Sequence, residues 1–238
     1  MGLPRCDASK EHRRKASSQQ PDICSVPRQR VPTPLESGMV RNVIFDLGGV
    51  VLDWNPDQLI ARFQPQVELQ AAFKASLFGH ADWKAFDRGG LTEPELIDRL
   101  MARLRMPHSD VLGLLDATRH SLVEKPDTVK LIRELQRRQV PLYCLSNMPA
   151  AMYLHLQRQH TFWDAFRGIV ISGEVKLMKP EPEVFEHLLK TFDLQATESV
   201  FIDDVLVNVE AARQLGIHAI LFRDAAQCRV ELNRLLSP

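Results

Sequence analysis

Six residues of this chain could do chemistry together: Asp46, Ser146, Asn147, Lys179, Asp203 and Asp204. Asp46 follows the apolar run Val43-Ile44-Phe45, and Ser146-Asn147 follow Val140 to Leu145. Lys179 lies in the loop Lys179-Pro180-Glu181-Pro182, and Asp203-Asp204 end the run that begins at Ser199. A carboxylate can attack phosphorus and form an aspartyl-phosphate. Mg²⁺ takes oxygen ligands, usually one or two carboxylates with phosphate and water. A hydroxyl and a lysine can hold phosphate oxygens, the lysine as a point charge. Such an array stabilises the charge that spreads over a transferring phosphoryl group. Taken alone, Asp46 reads equally well as a loop-capping aspartate before the Gly48-Gly49 turn.

These residues share a site only if the elements carrying them run the same way. Short apolar runs rich in β-branched and aromatic residues predict buried strands at 43–45, 140–145, 168–171, 199–202 and 217–222. Helices are predicted between them, at 128–138, 150–159, 183–192 and 205–215, with a last one at 225–236. Gly216 stands where a helix C-terminus favours glycine. Strands alternating with single helices predict a parallel sheet covered on both faces. In such sheets ligands bind beyond the carboxyl ends of the strands, where these polar residues fall.

Residues 55–124 break the alternation. Five helices are predicted there and no strand. Pro56-Asp57 opens the first; Ala71 to Phe78, His80 to Phe86 and Ser109 to Leu122 are three others. Thr92 with Glu95 forms a capping box that starts the fourth. The domain reading is an arm at 1–38, a core at 39–54 and 125–238, and a helical cap at 55–124. The arm is rich in Ser, Gln, Pro and Arg, with seven basic against four acidic residues. It is expected to stay disordered; Met39, just before the first strand, is an alternative start.

The chain has 238 residues, 45% hydrophobic and 25% charged, with a formal net charge of zero. That is ordinary for a globular enzyme and favours neither nucleic acid nor an anionic membrane as partner. No apolar run approaches membrane-spanning length, and no secretory segment is visible. The four cysteines, Cys6, Cys24, Cys144 and Cys228, lack metal-site spacing. Reduced thiols in a cytoplasmic protein are the expectation. The oligomeric state is left open.

The four segments resemble, in order and with similar spacing, the signature motifs of the haloacid dehalogenase-like hydrolases. Phe45-Asp46-Leu47-Gly48-Gly49-Val50 is similar to the first and Leu145-Ser146-Asn147 to the second. Lys179-Pro180-Glu181-Pro182 is similar to the third and Phe201-Ile202-Asp203-Asp204 to the fourth. The resemblance covers about residues 39–236. It implies a three-layer Rossmann-like α/β core with an inserted helical cap, and Mg²⁺-dependent hydrolysis of a small phosphorylated substrate. By the same resemblance Asp46 is the nucleophile, and Ser146, Asn147 and Lys179 bind phosphate. The metal set is Asp46, Asp203, Asp204 and the Gly48 carbonyl, with Asn208 in support. Most phosphatases of the family carry a second aspartate two residues after the nucleophile, as general acid; here that position is Gly48, and Asp53 is the first candidate to replace it. The subgroup with an Asp-Leu-Gly first motif resembles the chain most, including Asp87-Arg88-Gly89, and includes sugar-phosphate phosphatases. Arg88 is therefore a candidate substrate contact. Two other readings stand beside this one: a metal-independent 2-haloacid dehalogenase, and a binding or regulatory member without activity.

Overall fold

Val43, Ile44 and Phe45 lie almost wholly out of solvent in the central strand of a five-stranded sheet. A computed structural model describes residues 39–236. The arm at 1–38, with its predicted disorder, Cys6 and Cys24, lies outside them. The strands are β1 (Asn42–Phe45), β2 (Leu142–Ser146), β3 (Gly168–Ile171), β4 (Ser199–Asp203) and β5 (His218–Leu221). Every pairing is parallel, in the order β3-β2-β1-β4-β5. The carboxyl ends of β1, β2 and β4, the three inner strands, therefore lie side by side.

Alternate strand residues face opposite sides of a sheet, and both faces here are apolar. Val43, Phe45, Leu142, Cys144, Val200 and Ile202 pack on one face. Their partners come from α6 (Pro126–Arg137), α7 (Ala150–Gln159) and α11 (Ala225–Leu236). Ile44, Tyr143, Leu145, Val170 and Phe201 pack on the other, against α9 (Pro182–Thr191) and α10 (Leu206–Gln214). Each fully buried side chain of this size contributes about 1.5–3 kcal/mol, so the three layers hold the strand ends in place. This is the expected α/β fold.

Between β1 and α6 the chain forms α1 (Pro56–Phe63), α2 (Val67–Leu77), α3 (Ala81–Asp87), α4 (Glu93–Leu104) and α5 (His108–Ser121). These five helices bury a core of their own, built on Ile60, Leu77, Trp83, Leu96, Leu100 and Leu114. Two chain crossings tie them to the sheet. Asp53 N–H donates to the Val123 carbonyl at 2.7 Å, and Lys125 N–H to that of Val51 at 2.8 Å. A single turn, α8 (Ser172–Val175), stands where the sequence predicted a loop. Helix α2 begins four residues before its predicted start. Its first residues, Val67 and Leu69, are exposed, and its N-cap Gln66 makes no side-chain cap bond. Neither an apolar stripe nor a capping residue marks that end.

Candidate active site

β1 delivers Asp46 to the edge of the sheet, and the turn behind it fixes the carboxylate. Leu47 N–H donates to Asp46 Oδ1 at 2.7 Å, and Lys179 Nζ reaches the same oxygen at 2.8 Å. Oδ2 receives neither bond. The turn needs glycine at Gly49 but not at Gly48. Gly49 has φ +79°, and a Cβ there would lie 2.2 Å from Asp204 Oδ2. At Gly48 a Cβ would meet only Trp54, at 3.8 Å. Lys125, which sequence reasoning passed over, donates to the Gly49 carbonyl at 2.7 Å and steadies the turn.

Lys179 is buried between two carboxylates, 2.8 Å from Asp46 Oδ1 and 2.7 Å from Asp203 Oδ2. Asn147 places it. Its amide donates to the Lys179 carbonyl and accepts from the Lys179 N–H, both at 2.9 Å. The Asn147 side chain is thereby spent on the lysine loop, rather than on Asp46. Asp203 is enclosed and saturated. Besides Lys179 it accepts from Val205 N–H at 2.8 Å and from Asn208 Nδ2 at 3.1 Å on each oxygen. Ser146 lies at the end of β2 and lines the same cavity as Asp46, Gly48, Lys179 and Asp204.

Burial raises the carboxyl of Asp46 to about 7; the Lys179 ammonium opposes the shift and Asp203 adds to it. Burial works against the charge on Lys179, but Asp46 and Asp203 outweigh it and the lysine is held above its usual range. Asp204 is also raised, by burial first and by Asp203 second. A carboxylate oxygen from each of Asp46, Asp203 and Asp204 lies within 4.8 Å of the others. One ammonium faces three acids, so the cluster favours a further cation. Its donors are hard oxygens of the kind Mg²⁺ takes.

Two sequence candidates are not brought here. Arg88 does not line the cavity. Its guanidinium pairs with Glu181, one bond at 2.8 Å, and also reaches the Lys176 carbonyl. It stands at the C-terminus of α3, part-exposed and engaged by Glu181, which also lies outside the cavity lining. Asp53 is exposed and likewise absent from the lining. The residues next to these two fare differently: Trp54, beside Asp53, and Asp87, beside Arg88, both line the cavity.

The family model for haloacid dehalogenase-like hydrolases matches residues 40–216. The chain belongs to that family. The hydrolase chain is 31% identical over 195 residues to sesquiterpene phosphatase astK of Aspergillus oryzae, covering 81% of this chain and 95% of the relative. It is 23% identical over 219 residues to D-ribitol-5-phosphate phosphatase of Bacteroides thetaiotaomicron, covering 84% of this chain and 100% of the relative. In fold it matches the magnesium complex of a haloacid dehalogenase-family enzyme from the same bacterium, with a TM-score of 0.67 and 23% identity. That match covers 83% of this chain and 100% of the other. With phosphatases among its relatives, this hydrolase is a phosphatase of the family. Among the described residues no helix is long and apolar enough to cross a membrane.

Proposed function

We propose that the chain is an Mg²⁺-dependent hydrolase of phosphate monoesters that works through covalent attack by Asp46. The observation that carries this reading is the pairing of Asp46 with Lys179 over a cluster of acids at the cavity floor. With Oδ1 held by Leu47 and Lys179, Oδ2 is the oxygen that attacks phosphorus. The bond from phosphorus to the ester oxygen breaks, the alkoxide leaves and takes a proton from water, and an acyl phosphate forms on Asp46. Ser146 and Lys179 hold the phosphate oxygens as charge spreads over them. Water then attacks phosphorus, releasing phosphate and restoring Asp46.

The residues fit a magnesium ion. Asp46, Asp204 and the Gly48 carbonyl would hold it, with saturated Asp203 and Asn208 fixing the surroundings. When bound, it neutralises the acids and polarises the phosphoryl group. Asp46 and Lys179 are both present and bonded to each other, which supports an active enzyme over a binding module. The acid pair supports a metal enzyme over a metal-independent dehalogenase. The five helices after β1 serve as a cap over the cavity: Trp83 and Asp87 of α3 and Thr118 of α5 line it, with Phe78 at the end of α2. Cys144 and Cys228 are free and buried, in keeping with a reducing, cytoplasmic setting.

The substrate in this reading is a small phosphorylated metabolite. Sugar phosphates are supported by the first-motif resemblance and by the ribitol-phosphate relative; the sesquiterpene phosphatase supports an apolar one. The test is hydrolysis of an aryl phosphate by the natural chain and by Asp46→Asn, each with and without Mg²⁺. Turnover should require both the aspartate and the ion, with the variant's circular dichroism unchanged. Retention of more than a small fraction of activity by Asp46→Asn would overturn the covalent role.

A further inference from the structure

The cavity that starts at Asp46 has a volume of about 290 Å³. At roughly 30 Å³ for each water-sized group, it holds on the order of ten, and a phosphate takes about half of them. The remaining wall is apolar: Trp54, Phe78, Trp83, Leu122, Met148 and Met152 line it. Most of its polar side chains are already committed. Thr118 donates to the Leu114 carbonyl at 2.8 Å, Asn147 holds Lys179 and Asn208 holds Asp203. Asp87, whose acid burial pushes well above the usual range, is the polar group of this wall left open to a ligand. A sugar brings several hydroxyls that need partners once water is displaced; beyond Asp87 this wall offers few. An apolar chain brings no such need, and thioethers adapt their shape to it.

The chain next to the lining is apolar as well. Val205 lines the cavity and is 44% exposed; Leu206 and Val207 follow at 50% and 52%. Three consecutive exposed aliphatic residues stand next to Asp204, at the start of α10. Exposed apolar surface continuous with a pocket is one feature of a ligand-binding groove.

We propose that the organic half of the substrate is an apolar chain, seated head-down with its phosphate at Asp46, its first carbons between Trp83 and Met152, and its tail over Val205-Leu206-Val207. The proposal rests on the phosphatase reading for turnover, but its binding arm does not. The experiment measures kcat/KM of the full chain with Mg²⁺ on n-alkyl monophosphates from ethyl to decyl. Glucose 6-phosphate, also an ester of a primary alcohol, is the polar reference. A rise of about fourfold per methylene is expected over the first carbons, from the transfer of each methylene out of water. The rise should become shallower along the lip, and the longer esters should exceed glucose 6-phosphate. In the double variant Leu206→Gln, Val207→Gln the ratio of decyl to ethyl phosphate should fall several-fold. A flat chain-length series with glucose 6-phosphate at or above it would overturn the proposal. So would a double variant with an undiminished ratio. If no ester is turned over, the phosphatase reading fails, and calorimetry with alkylphosphonates decides the present one. Tighter binding of decylphosphonate than of methylphosphonate would support it, and equal binding would overturn it.

Discussion

At Gly48 the backbone is not left-handed, and an added Cβ would make an ordinary contact with Trp54. The missing side chain is thus a chemical feature and not a demand of the turn. General acid catalysis is worth about 10²–10⁴-fold, and Gly48 supplies none of it. Across aryl phosphates graded by phenol pKa, kcat/KM should fall steeply as the pKa rises, provided chemistry limits the rate. Gly48→Asp should flatten that slope, with Trp54 moving aside. An equally steep slope in the variant would show that the position does not reach the leaving group. Asp46 gives a second test. Its raised carboxyl keeps its proton in the metal-free chain up to about pH 7, whereas the unfolded chain releases it near 3.8. Stability from this group is therefore greatest in acid and lost as pH rises through about 7. Mg²⁺ should displace the proton, so thermal scans between about pH 5 and 8 should show Mg²⁺ stabilising most at the alkaline end. Equal stabilisation at every pH would mean the ion does not meet Asp46. Asp46, Ser146 and the acid pair were legible because each ends an apolar strand run, and Lys179 through its Lys-Pro-Glu-Pro loop. The bonds made by Asn147 and Lys125 were not, since both span turns between segments distant in sequence.

Among the elements, the turn after α3 is the link between the inserted helices and the loop that carries Lys179. Ser172 Oγ donates to the Asp87 carbonyl at 2.6 Å and accepts from Met148 N–H at 2.9 Å, while Lys176 bonds the Gly89 carbonyl. Ser172 is fully buried; the Arg88 and Glu181 side chains are 37% and 38% exposed. Exposed ion pairs contribute about 0–1 kcal/mol, and stranding buried partners costs about 1–3 kcal/mol. Urea unfolding should therefore show Ser172→Ala to be more destabilising than Arg88→Ala. Arg88→Ala should keep kcat/KM within a few-fold; a larger loss would restore Arg88 as a substrate contact. Most elements were readable from local patterns. Thr92 caps α4 with Glu95 as the capping box predicts, and Ala150–Gln159 and Ala225–Leu236 match residue for residue. Two short 3₁₀ turns, at Phe162–Ala165 and Ala196–Glu198, were missed, being too short to show a period.

For the whole molecule, the sheet's order follows from the alternation of strands and helices, but the cavity does not. Its walls come from the inserted helices and from α7 and α10, whose meeting depends on tertiary packing that no local spacing encodes. The inserted helices bury a core of their own. Replacing residues 56–121 by a short linker should leave a folded sheet that hydrolyses aryl phosphate slowly, with discrimination among organic groups lost. Unchanged discrimination would place selectivity elsewhere. The central claim is that phosphate passes through Asp46. It is tested most directly by acid-quenching the enzyme during turnover with Mg²⁺, reducing the trapped acyl phosphate with borohydride, and mapping the product by peptide mass spectrometry. Conversion of Asp46 to homoserine, dependent on substrate and Mg²⁺, is the predicted result. Turnover with no modification at Asp46, or with the label on another residue, would contradict it.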